Sequence, residues 1–138
     1  MSEPILLDVV TPESRVFSAH VSEIQFPTAD CGYYGILPGH TPLITPLGQG
    51  LLYYTMGGEK HWLAIFGGFA EVGPDQVVIL AKQAQTVEEI DRDQASKDHA
   101  AALQALGEAK TPEEQQAAQT NLRMAQVRLD ALQESASH

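Results

Sequence analysis

The chain predicts an α+β fold: an N-terminal antiparallel β-sandwich or flattened barrel, followed by a C-terminal antiparallel two-helix hairpin. Three observations carry this. Up to Val87 the sequence is a series of short apolar or alternating runs punctuated by Gly and Pro, the pattern of small all-β units. After Val87 the only glycine is Gly107 and the only proline is Pro112, and the helix formers Ala, Gln and Glu dominate. Two helix-start signals then follow, at Asp91 and at Thr111. With 138 residues there is room for one domain, or one domain with an appendage. We place the division at residues 1–87 for the sandwich and 88–138 for the hairpin.

The elements follow in order. Residues 5–10 form an apolar run broken only by Asp8. Thr11-Pro12-Glu13-Ser14 is a turn. From Ser22 to Phe26 the run alternates, with Ser22, Ile24 and Phe26 on one face and Glu23 and Gln25 on the other. Gly35-Ile36-Leu37 and Leu43-Ile44 read as strand ends around a stiff loop. In that loop Pro38 and Pro42 fix φ, and Gly39 is free to take positive φ. Residues 50–56 are a strand and Gly57-Gly58 a two-residue hairpin turn. Residues 61–66 run back, Gly67-Gly68 breaks or bulges the chain, and residues 69–72 continue. Gly73-Pro74-Asp75 turns again, and residues 77–81 close the series.

In the second half Asp91, with Gln94 three residues on, is an N-cap pair, and Gly107 ends the first helix. Thr111-Pro112-Glu113-Glu114 combines a Thr cap, Pro at the first helical position and Glu at the third. The second helix should run to about Leu132. The connection of about four residues forces an antiparallel hairpin. Ala95, His99, Ala102 and Leu106 on one helix, and Ala118, Leu122, Ala125, Leu129 and Leu132 on the other, keep coiled-coil spacing. A seam this rich in Ala allows close approach and buries little apolar area. The hairpin is therefore either a permanently folded appendage or one that opens at modest cost.

Composition excludes several classes. The net charge of −10 opposes nucleic-acid binding, which needs Lys and Arg for phosphates, and opposes docking on an anionic membrane. The single cysteine, Cys31, allows no internal disulfide. No apolar run approaches the ~20 residues of a membrane helix. Met1-Ser2-Glu3-Pro4 offers neither the positive region nor the apolar core of a leader. Direct membrane insertion is not expected, so work at a membrane would need a protein partner there.

Catalytic patterns are missing as well. There is no G-x-x-x-x-G-K-[ST] loop and no G-x-S-x-G elbow, and Gly48-Gln49-Gly50 lacks the third glycine of a dinucleotide fingerprint. The five histidines, His20, His40, His61, His99 and His138, show no metal-site spacing. His40 either meets a partner or holds its own loop by ring hydrogen bonds. His99 lies on the helix seam, packed or partly exposed. Of the adjacent Tyr33 and Tyr34, which point to opposite faces of a strand, one should be exposed.

The stretch Gly35-Ile36-Leu37-Pro38-Gly39-His40-Thr41-Pro42-Leu43-Ile44-Thr45 resembles the hallmark loop of the epsilon subunits of F-type ATP synthases. The resemblance continues in Leu7-Asp8-Val9-Val10-Thr11-Pro12, in Gly67-Gly68-Phe69-Ala70-Glu71-Val72 and in Val77-Val78-Ile79-Leu80-Ala81. It covers the chain nearly end to end. It implies a non-catalytic rotor subunit of a proton-translocating, bacterial-type synthase, peripheral on the cytoplasmic face of the inner membrane. The implied partners are the gamma subunit and the c-ring, with the alpha and beta subunits reached through the hairpin, which impedes ATP hydrolysis when it extends.

The resemblance also implies partner contacts at Tyr33, Pro38, Gly39, His40, Pro42 and Thr45, and at Arg123 and Arg128 on the second helix. Some relatives carry an acidic residue at the Tyr33 position, and a tyrosine cannot make that charged contact. ATP-binding relatives share I/L-D-x-x-R-A. Here Ile90-Asp91-Arg92-Asp93-Gln94-Ala95 puts an amide where the phosphate-gripping arginine stands. Arg128 matches one further basic position of that site, and Met124 falls at another. Asp91 and Arg128 are the candidate ATP contacts, but no cofactor is expected.

Overall fold

A computed structural model of the chain describes residues 4–30 and 32–137. Cys31, with the question of its exposure, lies outside the described residues, as do His138 and residues 1–3. Seven strands come first: β1 (Ile5–Val10), β2 (Arg15–Val21), β3 (Glu23–Pro27), β4 (Tyr33–Ile36), β5 (Leu43–Met56), β6 (Glu59–Val72) and β7 (Gln76–Thr86). A 3₁₀ turn at Val87–Glu89 leads into helices α1 (Arg92–Glu108) and α2 (Pro112–Ser137).

The strands form one sheet in the order β2-β1-β7-β6-β5-β3-β4. It curls on itself, so that β2 crosses to β5 and Phe17 stacks on Tyr54 with centroids 4.4 Å apart. Ile5, Leu7, Val9, Ile24, Phe26, Leu52, Ile65, Val77 and Ile79 fill the interior. Each such side chain contributes roughly 1.5–3 kcal/mol relative to exposure. Every named pairing is antiparallel except β1 with β7, which run parallel. The last strand of the meander lands on the free edge of the first, and no local sequence pattern encodes that meeting.

Four local expectations need correction. β2 was not expected, because consecutive Val16 and Phe17 on a largely exposed strand spoil the period of two. Val21 closes β2, and Ser22 is a bend whose N–H donates to the Thr55 carbonyl at 2.9 Å. Ile24 and Phe26 do point inward as the alternation requires. Gly107 does not end α1: the helix runs through it to Glu108, and the cap is Ala109 in extended backbone. Finally, α2 continues past Leu132 to Ser137.

The Gly67-Gly68 bulge shapes the whole sheet. Both residues have positive φ, 76° and 117°. A Cβ on Gly68 would lie 2.8 Å from Ala81 Cα and closer still to the Leu80 carbonyl oxygen. The extra residue inverts the alternation of β6. Before it, Leu63 and Ile65 face the interior; after it, Ala70 and Val72 do.

The helix starts are as the sequence predicts. The Asp91 carboxylate accepts from the Gln94 N–H at 3.1 Å. The Thr111 hydroxyl accepts from the Glu114 N–H at 3.1 Å, and the Glu114 carboxylate accepts in return from the Thr111 N–H at 3.2 Å. Helix α2 lies on β5 and β6, and α1 packs on α2. Their seam buries Ala95 and Ala102 with Ala118 and Ala125, and His99 Nε2 meets Gln126 Oε1 at 2.9 Å.

Candidate functional site: loop, outer sheet face and hairpin seat

The stiff loop is anchored at its middle. Gly39 takes φ 81°, and its N–H donates to the Pro74 carbonyl at 2.8 Å, tying the loop to the β6–β7 turn. His40 Nδ1 lies 2.7 Å from the Thr41 carbonyl oxygen. A carbonyl only accepts, so Nδ1 carries the proton. The His40 ring also meets the Tyr34 ring edge-on at 5.6 Å. His40 thus holds its own loop. Leu37, Pro38, Gly39 and Pro42 are exposed, and Thr45 is half-buried opposite Ala70. Tyr33 is the exposed member of its pair at 55%, and its hydroxyl comes within 3.5 Å of where a Cβ on Gly50 would stand.

Beside the loop the outer face of the sheet is apolar. Register aligns Pro46, Phe69, Leu80 and Val10 across β5, β6, β7 and β1. The adjacent row runs Ile44, Glu71, Val78 and Asp8. Ile44 is 69% exposed, Phe69 53% and Leu80 43%. Sequence reading missed this patch. The available signal was the double glycine, which reverses which of Phe69 and Ala70 faces outward.

The other half of the outer face is covered by α2. Val127 and Ala131 are buried against Ala64, Phe66 and Ile90, with Leu51, Val87, Met124 and Leu132 around them. This second apolar face of α2 was also missed, although Val127 and Ala131 stand four residues apart on one helix side. Both cations of α2 are committed here. Arg128 Nε donates to Gln85 Oε1 at 2.6 Å, and its guanidinium lies 4.7 Å from the Phe66 ring centroid. Arg123 donates to the Gln49 carbonyl at 3.1 Å. Asp91 caps α1, and the Gln94 side chain donates to Asp98 at 2.9 Å. Among the described residues no group of three His, Cys, Asp or Glu is arranged to hold a metal, and no helix is long and apolar enough to cross a membrane.

A rigid loop beside an exposed apolar sheet face, with a helix pair seated on the remainder, defines a protein that acts by docking. Comparison with known proteins gives the particular kind. Residues 5–87 match the model of the ATP synthase delta/epsilon chain β-sandwich domain. The ATP synthase epsilon chain of Nitratidesulfovibrio vulgaris (strain Miyazaki F) is 41% identical over 97 residues, which are 70% of this chain and 72% of that one. That of Syntrophobacter fumaroxidans is 41% identical over 129 residues, 94% of this chain and 96% of the other. A chain of the Euglena gracilis mitochondrial ATP synthase (OSCP/F1/c-ring) superposes with a TM-score of 0.80 at 25% identity, over 99% of this chain and 82% of its own. The chain belongs to the ATP synthase delta/epsilon family: it is a homologue of the epsilon chains, a non-catalytic subunit of the F-type central stalk.

Proposed function

We propose that the chain couples the gamma subunit to the c-ring, and that its C-terminal hairpin brakes ATP hydrolysis when it leaves the sheet. In this reading residues 1–87 are the grip and residues 88–138 the regulatory unit. The assembly stands on the cytoplasmic face of a bacterial inner membrane, and a proton current drives it. The observation that carries the coupling role is the patch of Ile44, Pro46, Phe69 and Leu80 on two adjacent rows, left uncovered next to a loop stiffened by Pro38 and Pro42. A patch of this kind on a small chain marks an interface. A joint under torque must not creep, and a loop tied through Gly39 to Pro74 and braced by His40 resists bending. In this reading the exposed Tyr33, Pro38, Gly39 and Pro42, with Thr45 beside them, meet the ring. Tyr33 would do so as an aromatic contact in place of a charge.

The brake rests on Arg123 and Arg128. Seated, both are occupied by Gln49, Gln85 and Phe66. Released, they are the cations α2 can offer to acidic surface on the alpha and beta subunits, so inhibition is mild and screened by salt. We assign no ATP site: Asp91 is consumed as a cap and Arg128 as a seat contact.

Two assays test this. Phe69→Glu, at an exposed position, should leave the fold intact and abolish co-purification with gamma and the c-ring; retained binding would refute the assigned face. Hydrolysis by the reconstituted catalytic complex should rise with Arg123→Ala plus Arg128→Ala. It should fall with Gln85→Ala, which loosens the seat and spares both cations. Unchanged hydrolysis in the double variant would sink the electrostatic brake.

A further inference from the structure

A cleft of ≈ 650 Å³ opens beside the β5–β6 turn of the sandwich, where the last turn of α2 overhangs it. Phe17, Tyr54, His61, Thr86, Glu88 and Ser135 are among its walls. Tyr54 is its centre. Its ring is stacked by Phe17 at 4.4 Å and by His61 at 5.2 Å, and the residue is only 8% exposed. Among the described residues its hydroxyl has no hydrogen-bond partner. Burial and then the charge of Glu88 raise the Tyr54 phenol above its ordinary value. The ring is buried and the hydroxyl is left open at the cleft, where water or a ligand meets it.

The surrounding charge selects the ligand. The carboxylates of Glu59 and Glu88 belong to residues of the rim. The one lining residue with a fixed positive charge is Lys60, and its ammonium is held 4.4 Å over the ring of Tyr53. Adjacent residues of a strand point to opposite faces, so Tyr53 and that ammonium lie on the far side of the β5–β6 ribbon from Tyr54. An anion in the cleft would meet two carboxylates. A cation would meet those carboxylates, a phenol oxygen able to accept, and aromatic rings.

We propose that this cleft binds a small organic ammonium ion, and that the bound ion ties the last turn of α2 to the sandwich. The ligand class rests on the cleft alone and not on the rotor reading. An ion that contacts both Glu88 and the Ser135 turn binds the seated hairpin better than the released one, and so favours the seated state by mass action.

The probe is benzylammonium, titrated into the full-length chain, with benzyl alcohol and benzoate as neutral and anionic counterparts. Ring resonances of Tyr54, His61 and Trp62 report binding, and hydrogen exchange of the amides of residues 131–136 reports the tie. Benzylammonium should give saturable shifts and slow that exchange, and benzoate should give neither. Glu88→Gln, an exposed substitution, should weaken binding about fivefold. Tyr54→Phe, which keeps the stack, should weaken it too, and Glu113→Gln at the remote start of α2 should not. Equal binding of benzoate, no saturation, or indifference to Glu88→Gln would overturn the site. Saturable binding with unchanged exchange at 131–136 would overturn the tie. Loss of gamma binding in the Phe69→Glu variant would leave this result untouched, so the two proposals fail separately.

Discussion

The seat of α2 can be loosened by one substitution, Val127→Ala. Val127 is 4% exposed and packed in the cluster with Ala64, Phe66, Ile90 and Ala131. The change deletes two methyl groups, each worth about 0.8 kcal/mol of transfer free energy. A partly unfilled space brings the cost to about 2 kcal/mol. That is about 30-fold in an equilibrium constant. Val127 faces the sheet and not α1, so the loss falls on docking of the hairpin and spares the sandwich core. A hairpin freed from the sheet is held by a thin Ala seam and frays. Amides of α2 should therefore exchange about 30-fold faster at neutral pH, with those of Val77 and Ile79 in β7 unchanged. If β7 accelerates by the same factor, sandwich and hairpin open as one unit and the independent seat is refuted. If neither changes, burial of Val127 does not hold the helix.

Three further outcomes are expected. Gly68→Ala should cost about 3 kcal/mol or more, because φ 117° and the Leu80 carbonyl both oppose a side chain there; a loss below about 1 kcal/mol by denaturant unfolding would refute the bulge argument. Thr111→Ala should cost about 1 kcal/mol and speed exchange of the Glu114 amide, which loses its acceptor; an unchanged rate would show that the cap carries no weight. The Asp30 carboxyl is held below its ordinary value of 3.8 by the Thr28 hydroxyl and then by the Gly32 N–H. Its contribution is thus complete above 3.8 and is lost as pH falls through the lower folded value. The Gly32 amide shift followed against pH should show its midpoint below 3.8, and a midpoint at or above it contradicts the assignment.

Much of the architecture was legible in the residues. Gly57-Gly58 turns with positive φ at both positions, Asp91 and Thr111 cap their helices, and the Ala seam closes at the expected positions. Other features were legible only in part. Gly107 resembles a helix stop, yet its backbone stays helical and the chain leaves the helix at Ala109. The loop His40 was open to two readings, and only its 2.7 Å approach to the Thr41 carbonyl decides for the turn. Arg128 is a candidate partner and ATP contact in the sequence, and the fold sets it over Phe66.

The sequence by itself determined the fold class, the helix starts, the stiff loop and the family resemblance. Those depend on φ preferences, caps and periodicities that act over a few neighbouring residues. Tertiary structure alone decided that β1 runs parallel to β7, and that β2 forms at all. It also decided that half of the outer sheet face is seated under α2, with Ile44, Phe69 and Leu80 left bare. These outcomes depend on which distant surfaces meet. Period and propensity show that a residue has an apolar face, and only the folded chain shows what covers it.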